Sequence, residues 1–237
     1  MKNILVSLIV LCASMIFLSV HSDSATASVI NFESIPGIEV PTDGLLINNQ
    51  FETTHGVIFS LEGGGSPQLA RIGAPTTAFQ GPIAGDTPVP GQGIGEFFLT
   101  DDGILSGLAA IPLIVTYTTP TAAASGIILD IDFDESFLIE ARNNIGDVIE
   151  SIVINAGDPG TGDGIATLWS FTRPSADVYS IRFVGSRSTS GSFGLGFDNF
   201  DARSASAATP IPLPATHILM LAGLIGFLFF TRQKLIV

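Results

Sequence analysis

The sequence predicts an all-β protein whose single globular region folds as a β-sandwich. Between residues 28 and 209, short runs of Val, Ile, Phe and Thr recur between Gly, Pro, Asn and Asp residues, and no segment keeps a helical period. The 26 glycines and 14 prolines among 237 residues favour many turns over long helices. Together these observations are typical of two packed sheets built from short strands.

Eleven strands are expected, each a run of β-branched or aromatic residues bounded by turn residues. The clearest hairpin joins Phe137–Arg142 to Asp147–Glu150 through the turn Asn143–Gly146, where Asn and Gly supply the positive φ angles of a tight turn. Residues 73–95 contain six glycines and four prolines, which predicts a long surface loop. The expected strands are Val29–Glu33, Gly56–Leu61, Gln68–Ile72, Glu96–Thr100, Leu113–Thr118, Gly126–Asp134, Phe137–Arg142, Val148–Asn155, Ile165–Phe171, Val178–Val184 and Leu195–Arg203.

Residues 1–27 have the features of a secretory signal peptide. Lys2 gives a positive start, an uncharged apolar run covers residues 4–20, and Ala25 and Ala27 form a small-x-small cleavage site. We therefore expect cleavage after Ala27, the alternative being an uncleaved membrane anchor.

The C-terminal end predicts an extended strip followed by a transmembrane helix at about residues 215–231. Alternating prolines exclude a helix in the strip and keep the chain extended. Arg232 and Lys234, beyond the apolar stretch, are expected on the cytoplasmic side of the membrane. Residues 204–209 form a small-residue linker before the strip. The strip consists of Pro210, Ile211, Pro212, Leu213, Pro214 and Ala215.

This order of features resembles a bacterial PEP-CTERM sorting signal, in the variant that reads Val-Pro-Leu-Pro-Ala and is matched here by Ile211–Ala215. The resemblance implies a processing protease of the exosortase type as partner. It also implies a precursor held in the inner membrane by the C-terminal helix and later delivered to the cell surface or the exopolysaccharide matrix. Two features depart from the family pattern: Leu213 replaces the glutamate of the commonest form, and the tail has two bases where an arginine run is usual. An ordinary C-terminal anchor is the alternative.

The region between the two terminal segments is strongly acidic. Residues 28–209 contain six arginines, no lysine and 21 acidic residues, a formal charge of −15. Nucleic-acid binding is not expected, because a phosphate backbone requires clustered basic side chains. An acidic surface suits a hydrated extracellular setting, in which divalent cations could bridge it to acidic polysaccharide.

Few residues in this region are suited to catalysis. The only cysteine, Cys12, lies in the expected signal peptide, so thiolate chemistry and disulfides are excluded from the mature protein. His55 is the only histidine between residues 28 and 209, and neither a nucleophile elbow nor a phosphate-binding loop is present. A glycosidase needs only two carboxylates, so that class stays open without a pair to name. We predict a protein without catalytic activity.

The acidic region also resembles the jelly-roll ectodomains that accompany such tails and are distantly similar to carbohydrate-binding modules. The matching segments are Asn31–Glu33, Gly56–Phe59, the hairpin after Phe137, Ser180–Phe183 and Gly196–Phe200.

In many such modules the junction of the first and last strands holds a structural calcium. The resemblance therefore implies Glu33 and Asp198 as Ca²⁺ ligands, with backbone carbonyls completing the shell. The alternative is that Asp198 and Asn199 cap a strand while Glu33 is solvated.

Two further groups of acids have spacings of interest. Asp130, Asp132 and Asp134 alternate with apolar residues, which puts the three carboxylates on one face of a strand. That face could bind a cation, but a solvated face is the expected outcome. The segments Asp158–Gly164 and Asp101–Gly103 are expected to be turns, because neither fits a calcium-loop spacing.

Aromatic side chains that could stack on sugars are few. Trp169, Tyr117 and Tyr179 are the aromatic residues other than Phe in the region, and Trp169 is exposed only if its neighbour Leu168 points inward.

The main prediction is a non-catalytic exported protein sorted to the cell surface or the exopolysaccharide matrix. The alternative is a calcium-stabilised carbohydrate-binding module that recognises extracellular polysaccharide through Trp169 or a loop face.

Overall fold

The structure is a computed structural model, and it describes residues 29–72, 88–101, 106–192 and 196–202. The expected signal peptide, linker, proline strip and hydrophobic tail lie outside the described residues, as do residues 73–87 of the expected long loop. Within the described residues, no helix has both the length and the apolar character needed to cross a membrane.

Twelve strands and one short helix are described, and the strands form two antiparallel sheets in a jelly-roll-like β-sandwich. Sheet A has the order β10-β7-β12-β4-β3, with β1 also paired to β12, and sheet B has the order β2-β6-β11-β8-β9, with β5 also paired to β11. The elements are β1 (Val29–Ile30), α1 (Glu52–His55), β2 (Val57–Leu61), β3 (Gln68–Arg71), β4 (Phe97–Thr100), β5 (Ser106–Ala109), β6 (Leu113–Thr121), β7 (Ala123–Ile131), β8 (Glu135–Arg142), β9 (Val148–Asn155), β10 (Gly162–Thr172), β11 (Val178–Ser192) and β12 (Gly196–Asp201).

The predicted all-β fold is confirmed, and so is the β8–β9 hairpin, whose turn at Asn143–Gly146 carries hydrogen bonds between Asn143 and Asp147. Several local expectations were wrong. Strand β1 ends at Ile30 instead of Glu33, and β11 continues to Ser192, beyond its expected end at Val184. The short helix α1 was not expected, and neither was β5, whose residues are too small to give a strand pattern. Strand β7 ends at Ile131 instead of Asp134, because Asp130 and Phe133 adopt positive φ angles of 63° and 46° that turn the chain.

The core lies between the two sheets and is filled largely by aromatic rings. Trp169 on β10 is central to it: its ring stacks against those of Phe197 and Phe200 and meets that of Phe183 edge-on at 5.0 Å. Only 3% of Trp169 is exposed, whereas 77% of its neighbour Leu168 is exposed. Burial of these rings is the main apolar contribution to stability.

The first and last strands of the sandwich are neighbours. Strand β1 pairs with β12 in the register Ile30 with Phe200 and Val29 with Asp201. The pairing of β12 with β7 shifts between Asp198 and Asp201, and Asn199 has a φ of 49°. This irregularity lets both Phe197 and Phe200 enter the core and leaves Asp198 between them.

We expect Trp169→Ala to lower the free energy of unfolding by about 3–5 kcal/mol, because it leaves a large cavity between the sheets. The matched control is Leu168→Ala on the same strand, which should change it by no more than about 0.5 kcal/mol. Urea unfolding followed by far-ultraviolet circular dichroism measures both. Equal losses in the two variants would contradict the core position of Trp169.

Candidate functional site

Glu33 follows β1 and Asp198 lies on β12, and these two strands pair with each other. The Glu33 carboxylate accepts a hydrogen bond at Oε1 from the backbone N–H of Phe97, 2.8 Å away. A Cβ at position 95 would overlap this carboxylate, so a larger residue at Gly95 would force the Glu33 side chain to move. The charge of Glu33 also acts on the Asp198 carboxyl and helps to raise its pKa; that the two acids ligate one ion stays a prediction.

Asp198 is fully buried, and half of its hydrogen-bonding capacity is unused. Its Oδ1 accepts a bond from the N–H of Asn199 at 2.7 Å, while Oδ2 has no hydrogen-bond partner among the described residues. Burial, with the charge of Glu33 adding to it, raises the pKa of Asp198 to about 8 despite the bond from Asn199. A buried carboxyl with a free acceptor oxygen is costly unless a proton or a cation occupies it.

The donors around this pair are hard oxygens of the kind that Ca²⁺ takes. Asp198 presents a buried carboxylate oxygen without a hydrogen-bond partner among the described residues, and Glu33 supplies a second carboxylate just after the paired strand β1. The loop that ends at Gly95 is tied to the same place, because the Asn199 Nδ2 donates a hydrogen bond to the Gly93 carbonyl at 2.9 Å. The junction of the first and last strands is therefore a candidate cation site, and calcium there stays a prediction.

The outer surface of sheet B forms a second candidate site, which the sequence did not indicate. Cross-strand register and the burial of the alternate residues define two outward rows, which we call the sheet B face. Its members are Ser60, Ile114, Arg182, Glu140 and Ser151 in one row, and Ile58, Thr116, Ser180 and Arg142 in the next.

A network of charged groups crosses the sheet B face. Arg182 donates from Nε and Nη2 to the two carboxylate oxygens of Glu62, at 2.8 and 2.7 Å, and from Nη1 to Glu140 at 3.2 Å. Arg142 donates from Nη2 to the same Glu140 oxygen at 2.7 Å. The bond from Arg182 lowers the pKa of Glu62. Bidentate pairing of this kind fixes the positions of both side chains.

An exposed aromatic residue lies at one end of this face. Tyr179 precedes Ser180 on β11, and 37% of it is exposed. The pairing of β11 with β6 shifts between Val178 and Ser180, with the extra residues on β6, so Tyr179 lies at an irregularity of the ladder.

A third group of acids brings together two segments that the sequence had singled out. Oxygens of Asp130, Asp132 and Asp163 lie within 4.8 Å of one another. Asp134 is not among them, because it accepts hydrogen bonds from Ser188 and Thr189, which lower its pKa. The expectation that Asp130, Asp132 and Asp134 share one strand face was therefore wrong. The turn expected at Asp158–Gly164 is observed from Asp158 to Thr161, and β10 begins at Gly162.

Trp169 and His55, which the sequence offered as candidates for sugar stacking and for catalysis, are both packed against other side chains. Trp169 cannot be a stacking platform for sugars, because Leu168 takes the outward position on β10 and the indole is in the core. His55 ends α1, with its ring 5.4 Å from that of Phe51, and burial lowers its pKa. Phe133, which the sequence placed in a strand, is 85% exposed at the β7–β8 turn.

Comparisons with known proteins add little to this geometry. No family model matches the chain, and no curated protein matches it. Similar solved structures include TmCBM61 in complex with β-1,4-galactotriose, at 11% identity and a TM-score of 0.36 over 68% of this chain and 97% of that chain. An apo form cyclase from Fischerella sp. matches at 15% identity and a TM-score of 0.39, over 75% of this chain and 96% of that chain.

A third similar structure holds the CBM22-1 and GH10 modules of the Clostridium thermocellum xylanase Xyn10B in complex with xylohexaose. It matches at 12% identity and a TM-score of 0.34, over 73% of this chain and 27% of that chain. With TM-scores of 0.34 to 0.39, these structures carry no argument about the function of this chain.

Without divalent cations, the protein should become less stable as the pH rises from about 4 to about 8. The folded state holds protons on Asp198 and Glu135, whose pKa values burial raises to about 8, whereas the unfolded state releases them near pH 4. Asp198→Asn should reduce this loss of stability with rising pH, and the titration of Glu135 should account for the part that is left. Melting temperatures in EDTA between pH 5 and pH 8 measure the effect, with the exposed Glu39→Gln as control. A wild-type slope in Asp198→Asn would contradict it.

Proposed function

We propose that this protein is a non-catalytic, calcium-stabilised module that binds extracellular polysaccharide on the sheet B face. The observation that carries the proposal is the fixed network of Arg182, Arg142, Glu62 and Glu140 across a solvent-facing sheet. The same rows carry the hydroxyl groups of Ser60, Thr116, Ser180 and Ser151.

This surface has the chemistry that a sugar chain requires. Each sugar hydroxyl both donates and accepts hydrogen bonds, and the face offers guanidinium donors, carboxylate acceptors and hydroxyl groups that do both. Because ion pairs already hold the long side chains in place, little side-chain entropy is lost on binding. Ile58 and Ile114 offer apolar surface to the C–H faces of the sugar rings, and Tyr179 supplies an aromatic ring at the end of the face.

The electrostatics of the face support binding without catalysis. A glycosidase needs one carboxylic acid with a raised pKa to protonate the leaving group. On this face Arg182 lowers the pKa of Glu62, and Glu140 is ion-paired with both Arg182 and Arg142.

Calcium is proposed to occupy the junction of the first and last strands. Glu33 and Asp198 would supply carboxylate oxygens there, and the ion would balance the buried charge of Asp198 at neutral pH. Since Glu33 also bonds to Phe97, the ion would tie the start of the described chain to both β12 and β4. Its contribution would be structural.

Export and surface sorting complete the proposal. The proline strip Pro210–Ala215 and the bases Arg232 and Lys234, both outside the described residues, support a precursor held in the inner membrane and processed by an exosortase-type protease. Deleting residues 210–237 should move the protein from the membrane and cell-surface fractions into the medium. An unchanged distribution would remove the sorting role from the tail.

Arg182→Gln should weaken polysaccharide binding about tenfold or more, because it removes the ion pairs that hold the Glu62 and Glu140 carboxylates in position on the face. The matched control is Arg71→Gln, which breaks the ion pair between Arg71 and Glu96 on sheet A and should leave binding unchanged. Affinities are measured on the full chain in a polyoxyethylene detergent, against the extracellular polysaccharide of the source organism and defined glycans. If Arg71→Gln lowered the affinity as much as Arg182→Gln, the sheet B face would not be the binding surface.

Calcium should raise the melting temperature of the wild type by several degrees at pH 8 and by much less at pH 5, where protons already occupy the site. Asp198→Asn should abolish the increase, and Glu33→Gln should reduce it. Asp163→Asn is the control, because it alters the other group of acids. A calcium response that persists in Asp198→Asn but disappears in Asp163→Asn would move the ion to that group.

A further inference from the structure

We infer that the polysaccharide recognised by the sheet B face is uncharged. This inference rests on the proposed function and adds the chemical class of its ligand. It comes from the charge balance of the face, from the pairing of the arginines elsewhere on the described chain, and from the hydroxyl groups that remain available between them.

The guanidinium fork of Arg182 is already occupied. Recognition of a sugar carboxylate normally uses the two parallel N–H groups of an arginine. On Arg182 both face Glu62, at 2.8 and 2.7 Å, and Nη1 donates a third hydrogen bond to Glu140 at 3.2 Å. A uronate could bind there only by displacing the Glu62 carboxylate, which would then face another negative charge.

The face as a whole has no excess positive charge. Arg142 and Arg182 balance Glu62 and Glu140, and Glu140 is shared by both arginines. Two like carboxylates brought close together repel each other, and this repulsion selects against acidic partners. A neutral chain meets no such penalty.

The other arginines of the described chain offer no alternative site for an anion. Arg71 pairs with Glu96, Arg173 pairs with Glu150 and Asp177, and Arg187 pairs with Asp134. The region of residues 28–209 has a charge of −15, so its overall field repels a polyanion before contact. These features complement a ligand without charge.

The polar groups that do remain available match sugar hydroxyls. Thr116 and Ser151 are exposed on the face, and Ser60 and Ser180 are partly exposed beside Arg182 and Arg142. A hydroxyl group bonds well to another hydroxyl group, whereas a carboxylate needs several donors to replace its hydration.

The test compares polymers that differ only in charge. Glucan, mannan and galactan are used as neutral chains, and each is also oxidised at C6 so that primary hydroxyl groups become carboxylates. The polysaccharide of the source organism is included in native and carboxyl-reduced forms. Binding to the full chain in a polyoxyethylene detergent is measured with EDTA present, at about 20 mM and about 500 mM salt.

We expect a neutral polymer to bind and its oxidised form to bind at least about tenfold more weakly at low salt, with high salt narrowing the difference. Glu62→Gln, which frees the fork of Arg182, should strengthen binding of the oxidised form. The control Glu96→Gln frees Arg71 on sheet A and should not.

Tighter binding of an oxidised form by the wild type would overturn the inference while leaving the proposed function in place. The inference would also be overturned if Glu62→Gln bound the oxidised polymers with the same affinity as the wild type. If neither form of any polymer binds, or if Arg182→Gln binds as the wild type does, the proposed function itself fails.

Discussion

The pairing of β1 with β12 is the constraint on which the rest of the sandwich depends. It joins the start of the described chain to its end in the register Ile30 with Phe200. The shift in β12 that follows puts two phenylalanine rings into the core, where they stack with Trp169. The same shift leaves Asp198 fully buried with an unpaired oxygen. Closing the sandwich therefore produces both its apolar centre and its most costly polar group.

The two sheets consequently have different roles. Sheet A carries the junction of the first and last strands, where a cation would compensate buried charge. Sheet B contains the longer strands, and its register is unbroken around Arg182, so the outer side chains there lie in rows across the strands. Only such regularity brings Arg182 within reach of Glu62, 120 residues away in the sequence, and of Glu140 on the neighbouring strand. A flat, rigid array of donors and acceptors results, which suits an extended ligand.

The sequence predicted the features that depend on local patterns. The β8–β9 hairpin follows from alternation and a turn at Asn143–Gly146, and the pairing of the first strand with the last follows from the jelly-roll resemblance. Trp169 could not be oriented, because alternation on β10 allows either phase and only the packing against Phe197 decides it. The sheet B face was missed because its charged residues are far apart in the chain and no local spacing connects them. The end of β7 was misplaced, because positive φ angles at Asp130 and Phe133 leave no mark in the hydrophobic pattern.

Hydrogen–deuterium exchange of the full chain, with and without a bound polysaccharide, tests the central claim most directly. A ligand on the sheet B face should slow exchange in peptides from β6, β8 and β11, and should leave β3, β4 and β10 of sheet A unchanged. Protection confined to sheet A, or to the turn around Phe133, would contradict the account and place the binding surface on the opposite side or at one end of the sandwich.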